Sequence, residues 1–195
     1  MKLIKTIVAA ALAVTLFAVP VSADAASYQV KKGDSFWLIA NKHHISVADL
    51  MRANNRTNSL LYAGETINIP GNGISQADRV LMAKLVNAEA KGEPYAGKVA
   101  VATVVLNRVD HKSFPNTVRG VIYERVSGHY AFTPVQNGAI NNGYTATDMR
   151  AVNEAVAFRG QGRGSIYFYN PKTAVSNWIK SRETTVTIGN HRFAK

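Results

Sequence analysis

The sequence predicts an α+β protein: a small strand–helix–helix–strand module, then a mainly helical domain closed by a short C-terminal β-hairpin. Three observations carry this expectation. Residues 28 to 70 place two helix-length stretches between short apolar runs that alternate at strand period. Between Ser75 and Val156, apolar residues recur at helical spacing in separate blocks. Thr185–Ile188 and His191–Phe193 flank Gly189-Asn190, a two-residue hairpin turn.

The elements follow in order. Lys2 and Lys5 precede an apolar run from Ile7 to Val19, and Val21-Ser22-Ala23 supplies a small-residue cleavage site, so residues 1–23 read as a secretory signal peptide. The run falls short of the ~20 apolar residues of a membrane span. The small module occupies 27–70. Tyr28-Gln29-Val30 is its first strand, and Asp34 or Ser35 caps a helix bearing Phe36, Leu38, Ile39 and Ala40. Ser46 caps a second helix that ends near Asn54-Asn55, and Thr66–Ile69 closes the unit. Gly71-Asn72-Gly73 reads as a linker over 71–73 with few contacts crossing it. The second domain, 74–195, opens on a capping-box pattern at Ser75 and Asp78 with Ile74 as staple. Its helix carries Leu81, Met82, Leu85 and Val86 and stops before Gly92. A helix from Tyr95 to Arg108, apolar nearly all round, must be central. Residues 114–117 turn into a short helix, 129–143 read as a loop, and Thr145 with Asp148 caps a helix that points Glu154 outward. Ile166–Tyr169 reads as a strand ahead of the hairpin.

Composition narrows the chemistry. The chain has 195 residues and no cysteine, which excludes disulfides and cysteine nucleophiles. A formal charge of +11 favours an anionic partner. With an export signal, that partner is expected to be an anionic wall polymer or membrane surface, not nucleic acid. The five histidines show no HExxH pairing, and His43-His44 is expected on the surface of the small module, so neither a metal nor another cofactor is expected. There is no GxSxG elbow, and 160–164 lacks the Lys-Ser/Thr of a phosphate loop. Carboxylate acid/base chemistry remains, with Tyr130, Phe132, Tyr144, Tyr169 and Trp178 available to stack on sugars.

Glu89 is the outstanding carboxylate. It lies seven, four and three residues beyond Met82, Leu85 and Val86, on the apolar face of its helix and in the last turn. Desolvation and the negative helix end both raise its pKa, as a general acid requires. The alternative is a buried glutamate satisfied by backbone or by a nearby arginine. Glu93, Asp110 and Glu124 are the other carboxylates that could approach it.

Two resemblances extend this reading. YQVKKGDSFWLIANKHHISVADLMRANN and LYAGETINIP closely resemble the LysM module. That resemblance implies binding to N-acetylglucosamine-containing glycans in a groove between two loops. Gly33, Asp34, Ser35 and Phe36 would form one side, and Leu60, Leu61 and Tyr62 the other. Asp34 and Ser35 could equally be caps, and the leucines core. VNAEAKGEPYAGKVAVATVVLNRV, FPNTVRGVIYE, FTPVQNG, YFYNPKTAVSNWI and IGNHRFAK resemble the spore cortex-lytic, germination-specific cell-wall hydrolase family. This implies cleavage of the β-1,4 glycan of peptidoglycan, with Glu89 as acid/base and a lytic-transglycosylase outcome. Phe132, Gln136, Tyr169, Asn170, Trp178 and His191 fall in those motifs as substrate-binding or cleft-shaping candidates. A secreted, wall-associated monomer is expected. The rival readings are a hydrolytic muramidase or glucosaminidase, and a non-catalytic wall-binding protein.

Overall fold

The computed structural model describes residues 26–71 and 73–195. The expected signal peptide lies outside the described residues, as does Asn72 of the linker. Among the described residues, no helix is long and apolar enough to cross a membrane.

In the small module, β1 (Ala26–Gln29) pairs antiparallel with β2 (Thr66–Ile69), Tyr28 opposite Ile67. The strand begins earlier than the alternation at Tyr28–Val30 suggests. Val30 nevertheless extends the pairing: its N–H donates to Glu65 O at 2.9 Å, and its carbonyl accepts from Gly64 N at 2.8 Å. Between the strands lie α1 (Phe36–His43) and α2 (Val47–Ala53). Ser35, not Asp34, caps α1, accepting from Leu38 N at 3.2 Å. Asp34 instead accepts from Tyr28 Oη (2.9 Å) and Lys31 N (2.8 Å), which braces the β1–α1 loop. Phe36, Ile39, Leu50 and Ile67 form the core, while Leu38 faces out. Asn54 locks α2 to β2: its Nδ2 donates to Leu50 O and Asn68 O, both at 2.8 Å, and its Oδ1 accepts from Asn68 N at 2.7 Å.

The second domain is built on α3 (Gln76–Glu89), α4 (Tyr95–Asp110) and a later helix, Ala146–Ala157, which pack on one another. Fully buried Met82, Leu85, Val101, Val105 and Val152 fill the space between them. Ser75 caps α3 through Asp78 N at 3.1 Å. Thr117 caps α5 (Val118–Ile122) through Gly120 N at 3.0 Å. The stretch 129–143, expected as loop, is ordered. A hairpin of β3 (Arg125–Val126) and β4 (His129–Tyr130) turns through Ser127 and Gly128, whose φ values of 50° and 85° suit a tight primed turn. Next come α6 (Thr133–Gln136) and a 3₁₀ turn at Ala139–Asn141. A reciprocal capping box, Thr145 with Asp148, starts the helix Ala146–Ala157, which is α7. Finally β5 (Tyr167–Tyr169), α8 (Asn177–Lys180), β6 (Thr184–Ile188) and β7 (His191–Ala194) complete the chain. The expected hairpin is therefore part of a three-stranded antiparallel sheet ordered β5–β7–β6.

Contacts do cross the linker. α1 packs on α7, and Ile74 N donates to His44 O at 3.0 Å. Arg79 of α3 is 1% exposed there and donates to the side chain of Asn153 on α7. His43 and His44 are accordingly half-buried at this boundary, not on a free surface. Burial pushes the pKa of both below the usual histidine value.

Because Asn54 supplies two hydrogen bonds from α2 to Asn68 of β2 and a third to Leu50 O of its own helix, Asn54→Ala should cost about 1–3 kcal/mol. The check is a lower unfolding midpoint together with faster hydrogen exchange at the Asn68 amide.

Candidate active site

Glu89 is the final residue of α3, one turn beyond the fully buried Leu85 and Val86. It is partly buried and forms no ion pair among the described residues. Desolvation pushes its pKa from 4.5 up to about 7, and the charge of Arg108 opposes that rise. The helix C-terminus adds its partial negative charge in the same direction as desolvation.

Arg108 is the residue sequence reasoning missed. It stands on α4 at 7% exposure, with Nε donating to Ile166 O at 2.7 Å. Its guanidinium lies 5.0 Å from the ring centres of Phe114 and Phe132 and 5.7 Å from that of Tyr167. Stacked aromatic faces replace part of the hydration such a cation loses. Burial lowers its pKa, and the negative charges of Glu124 and Glu89 support its ionised form. Arg108 is therefore committed to a carbonyl and an aromatic cage, and it biases Glu89 from a distance. The available signal was a lone arginine near the end of an otherwise apolar helix.

The motif residues divide on burial. Phe132 is 2% exposed and forms a wall of the arginine cage, so it has no face to offer a ligand. Tyr169 is also buried, at 8%, with its hydroxyl reached by Arg192 Nη1 at 3.4 Å. Asn170 organises a turn: its Oδ1 accepts from Lys172 N at 2.9 Å. His191 is half-buried beside Phe168, ring centres 5.2 Å apart, and its pKa is lowered by burial. Gln136 and Trp178 are open to solvent. Trp178 stands edge-on to Tyr167 at 5.1 Å, Tyr167 in turn on Phe114 at 6.2 Å. An aromatic row thus runs from the Arg108 cage to an exposed indole, over which Arg182 lies at 4.2 Å.

The other carboxylates are mostly engaged. Glu93 accepts from Asn190 N (2.9 Å) and Nδ2 (3.1 Å), clamping the β6–β7 turn onto the α3–α4 corner. A side chain at Gly189 would overlap that carboxylate and approach Pro94 Cδ at 2.8 Å, so the turn needs glycine. Asp110 is bidentate with Arg159 at 3.0 and 2.6 Å. Glu154, read from sequence as an outward carboxylate, accepts from Tyr95 Oη at 2.7 Å. Glu124 is the carboxylate that shares Arg108 with Glu89.

In the small module, the Val30 bonds to Gly64 and Glu65 bring the β1–α1 and α2–β2 loops side by side. Gly33 and Gly64 both hold φ of 93°, accessible to glycine without strain. Phe36 is core at 2% exposure and Leu61 packs against the core, whereas Leu60 and Tyr62 are exposed. Asp34 and Ser35 are occupied in loop bracing and helix capping.

Comparison with known proteins follows the same division. Residues 28–70 match the LysM domain, and residues 92–194 match the family described as Cell Wall Hydrolase. The second match covers more than half of the chain, which belongs to the cell wall hydrolase family and carries a LysM domain ahead of it. A spore cortex-lytic enzyme of Bacillus cereus is 42% identical over 163 residues, 80% of this chain and 61% of that protein. One from Halalkalibacterium halodurans is 45% identical over 126 residues, 65% of this chain and 37% of the relative. The chain thus spans less than two thirds of these relatives. Among solved structures, it resembles the catalytic domain of the germination-specific lytic transglycosylase SleB from Bacillus anthracis. That similarity has a TM-score of 0.57 at 46% identity, over 64% of this chain and 98% of that one. The cell wall hydrolase match opens three residues after Glu89.

The fold favours neutral Glu89, so its stabilising effect is full below pH 4.5 and is lost as pH rises through about 7. Glu89→Gln should therefore match the wild-type Tm at acid pH and exceed it at pH 8. Parallel melting curves across that range check the sign.

Proposed function

We propose that the chain is a secreted, wall-associated enzyme that cleaves the β-1,4 glycan of peptidoglycan as a lytic transglycosylase, with Glu89 as acid and then base. The observation that carries this reading is a carboxyl that desolvation pushes up to about 7, at the end of α3, with no cation paired to it among the described residues. Half of such groups are protonated at neutral pH and half are ionised, which suits a residue that must both give and take a proton. The family membership, and the SleB catalytic domain described as a lytic transglycosylase, support the same class of reaction.

In the proposed reaction, protonated Glu89 donates to the glycosidic oxygen as its bond to the muramoyl anomeric carbon breaks. The leaving sugar departs with a free 4-hydroxyl. The muramoyl 6-hydroxyl then bonds to the same carbon and returns its proton to Glu89, giving a 1,6-anhydro end without consuming water. Exposed Trp178 and the aromatic row behind it offer a stacking wall for the strand. The LysM domain would hold the enzyme on N-acetylglucosamine-containing glycan through the paired loops, with Leu60 and Tyr62 as the exposed contacts. Tethering raises local substrate concentration without altering the chemical step.

A hydrolytic reading has one observation in its favour. Glu124 lies within electrostatic reach of the same arginine as Glu89 and is not ion-paired among the described residues. A water-using mechanism places a second carboxyl about 5–9.5 Å from the acid.

Glu89→Gln should leave wall binding intact and lower lytic activity by at least about 10²-fold. Asp110→Asn, at an exposed ion pair, is the matched control, and comparable lysis by both variants would reject Glu89. In the wild type, kcat/KM should fall above about pH 7 as Glu89 loses its proton. Digestion in heavy-oxygen water separates the two outcomes. Unlabelled muropeptides lighter by one water support the transglycosylase, and labelled reducing ends show hydrolysis.

A further inference from the structure

Away from Glu89, the contact between the LysM domain and the second domain leaves a half-open cavity of about 320 Å³. It is lined by Trp37 and Asn41 from α1, Tyr95 from the start of α4, and Arg150, Asn153 and Glu154 from α7. Helical spacing explains the convergence. Trp37 and Asn41 are four residues apart, and Arg150 stands three and four residues before Asn153 and Glu154. Each helix therefore turns one stripe of aromatic and polar groups to the same space.

Three features distinguish this space from a packing gap. Trp37 is 41% exposed although it sits beside a contact between domains, so an indole face remains available. Asn41 Oδ1 is buried and accepts no hydrogen bond among the described residues. The remaining groups are already held in place. Tyr95 Oη donates to Glu154 Oε2 at 2.7 Å, and the Arg150 guanidinium lies 5.0 Å from the Tyr95 ring centre. Groups fixed before binding lose little freedom when a ligand arrives.

The chemistry defines the ligand class. An indole face suits the apolar C–H face of a pyranose. Glu154 can accept from a hydroxyl, and Arg150 can donate to an acetamido carbonyl. The volume is at the small end of ligand cavities, which suits a sugar unit better than a folded peptide.

We propose that this cavity between the domains is a second glycan subsite, taking one N-acetylhexosamine unit of a peptidoglycan strand. The proposal rests on the peptidoglycan reading above. It adds a contact that neither the LysM loops nor the region of Glu89 provides, because none of its six lining residues belongs to either. A strand engaged here would touch both domains at once and favour their docked arrangement.

The test uses chitotetraose titrated into the ¹⁵N-labelled full chain carrying Glu89→Gln. The indole N–H signals of Trp37 and Trp178 are followed separately, assigned through Trp37→Phe. The Trp37 signal should shift saturably, and the shift should persist when Tyr62→Ala weakens the LysM groove. Arg150→Ala, a change at an exposed residue that spares the core, should weaken the Trp37 titration about five- to tenfold. A Trp37 signal that stays unmoved, or a shift lost with Tyr62→Ala or indifferent to Arg150→Ala, overturns the subsite. Sedimentation with purified sacculi separates the two failures. A protein that still sediments while Trp37 is unmoved loses the subsite alone, and one that neither sediments nor responds at either tryptophan loses the peptidoglycan reading as well.

Discussion

A buried guanidinium is the constraint around which the cell wall hydrolase domain is arranged. Arg108 cannot be solvated where it stands, so the chain surrounds it with a carbonyl from Ile166 and the faces of Phe114, Phe132 and Tyr167. Those partners come from the segments around α5 and α6 and from β5 with the residue before it. Satisfying one cation therefore fixes where three separate segments meet α4. The same charge sits near Glu89 without pairing with it, and so moderates a pKa that burial alone would raise further. A lysine could supply the charge but not the planar face that three rings pack against.

The sequence made local decisions legible and distant ones obscure. Ser35, Ser46, Ser75 and Thr145 act as caps because each cap depends on residues within one turn. Glu89 was found by periodicity for the same reason: its helix has a clear apolar face, and its place in the last turn follows from counting. Burial of Phe132 and Tyr169 was not legible, since an aromatic residue in a motif serves equally as core or as a sugar platform until its neighbours are known. The Arg108 cage joins residues far apart in sequence, and no local pattern encodes it. Docking of α1 on α7 was hidden for a related reason. Arg79 of α3, buried beside that contact, looks in sequence like a solvated charge on a helix.

The LysM and cell wall hydrolase assignments account for two separate surfaces, and the structure adds the contact between them. Arg79 and Asn153, both in the second domain, meet beside this boundary with polar atoms only partly satisfied: two of the Arg79 nitrogens find no partner among the described residues. Each unmet donor there offsets part of what burial contributes. The domains themselves meet where α1 packs on α7 and where Ile74 N donates to His44 O.

The sheet order β5–β7–β6 has a consequence for how the domain is made. Its middle strand, His191–Ala194, is later in sequence than both strands it joins, and its Phe193 is wholly enclosed in the main core. A nascent chain that has not reached Phe193 has neither a centre for its sheet nor a plug for its core, and Glu93 has no Asn190 to hold the corner beyond Glu89. Assembly of the catalytic domain is consequently postponed until synthesis has passed this strand. Until Phe193 is in place the main core stays unplugged, and the late position of this strand keeps the chain open and threadable up to that point.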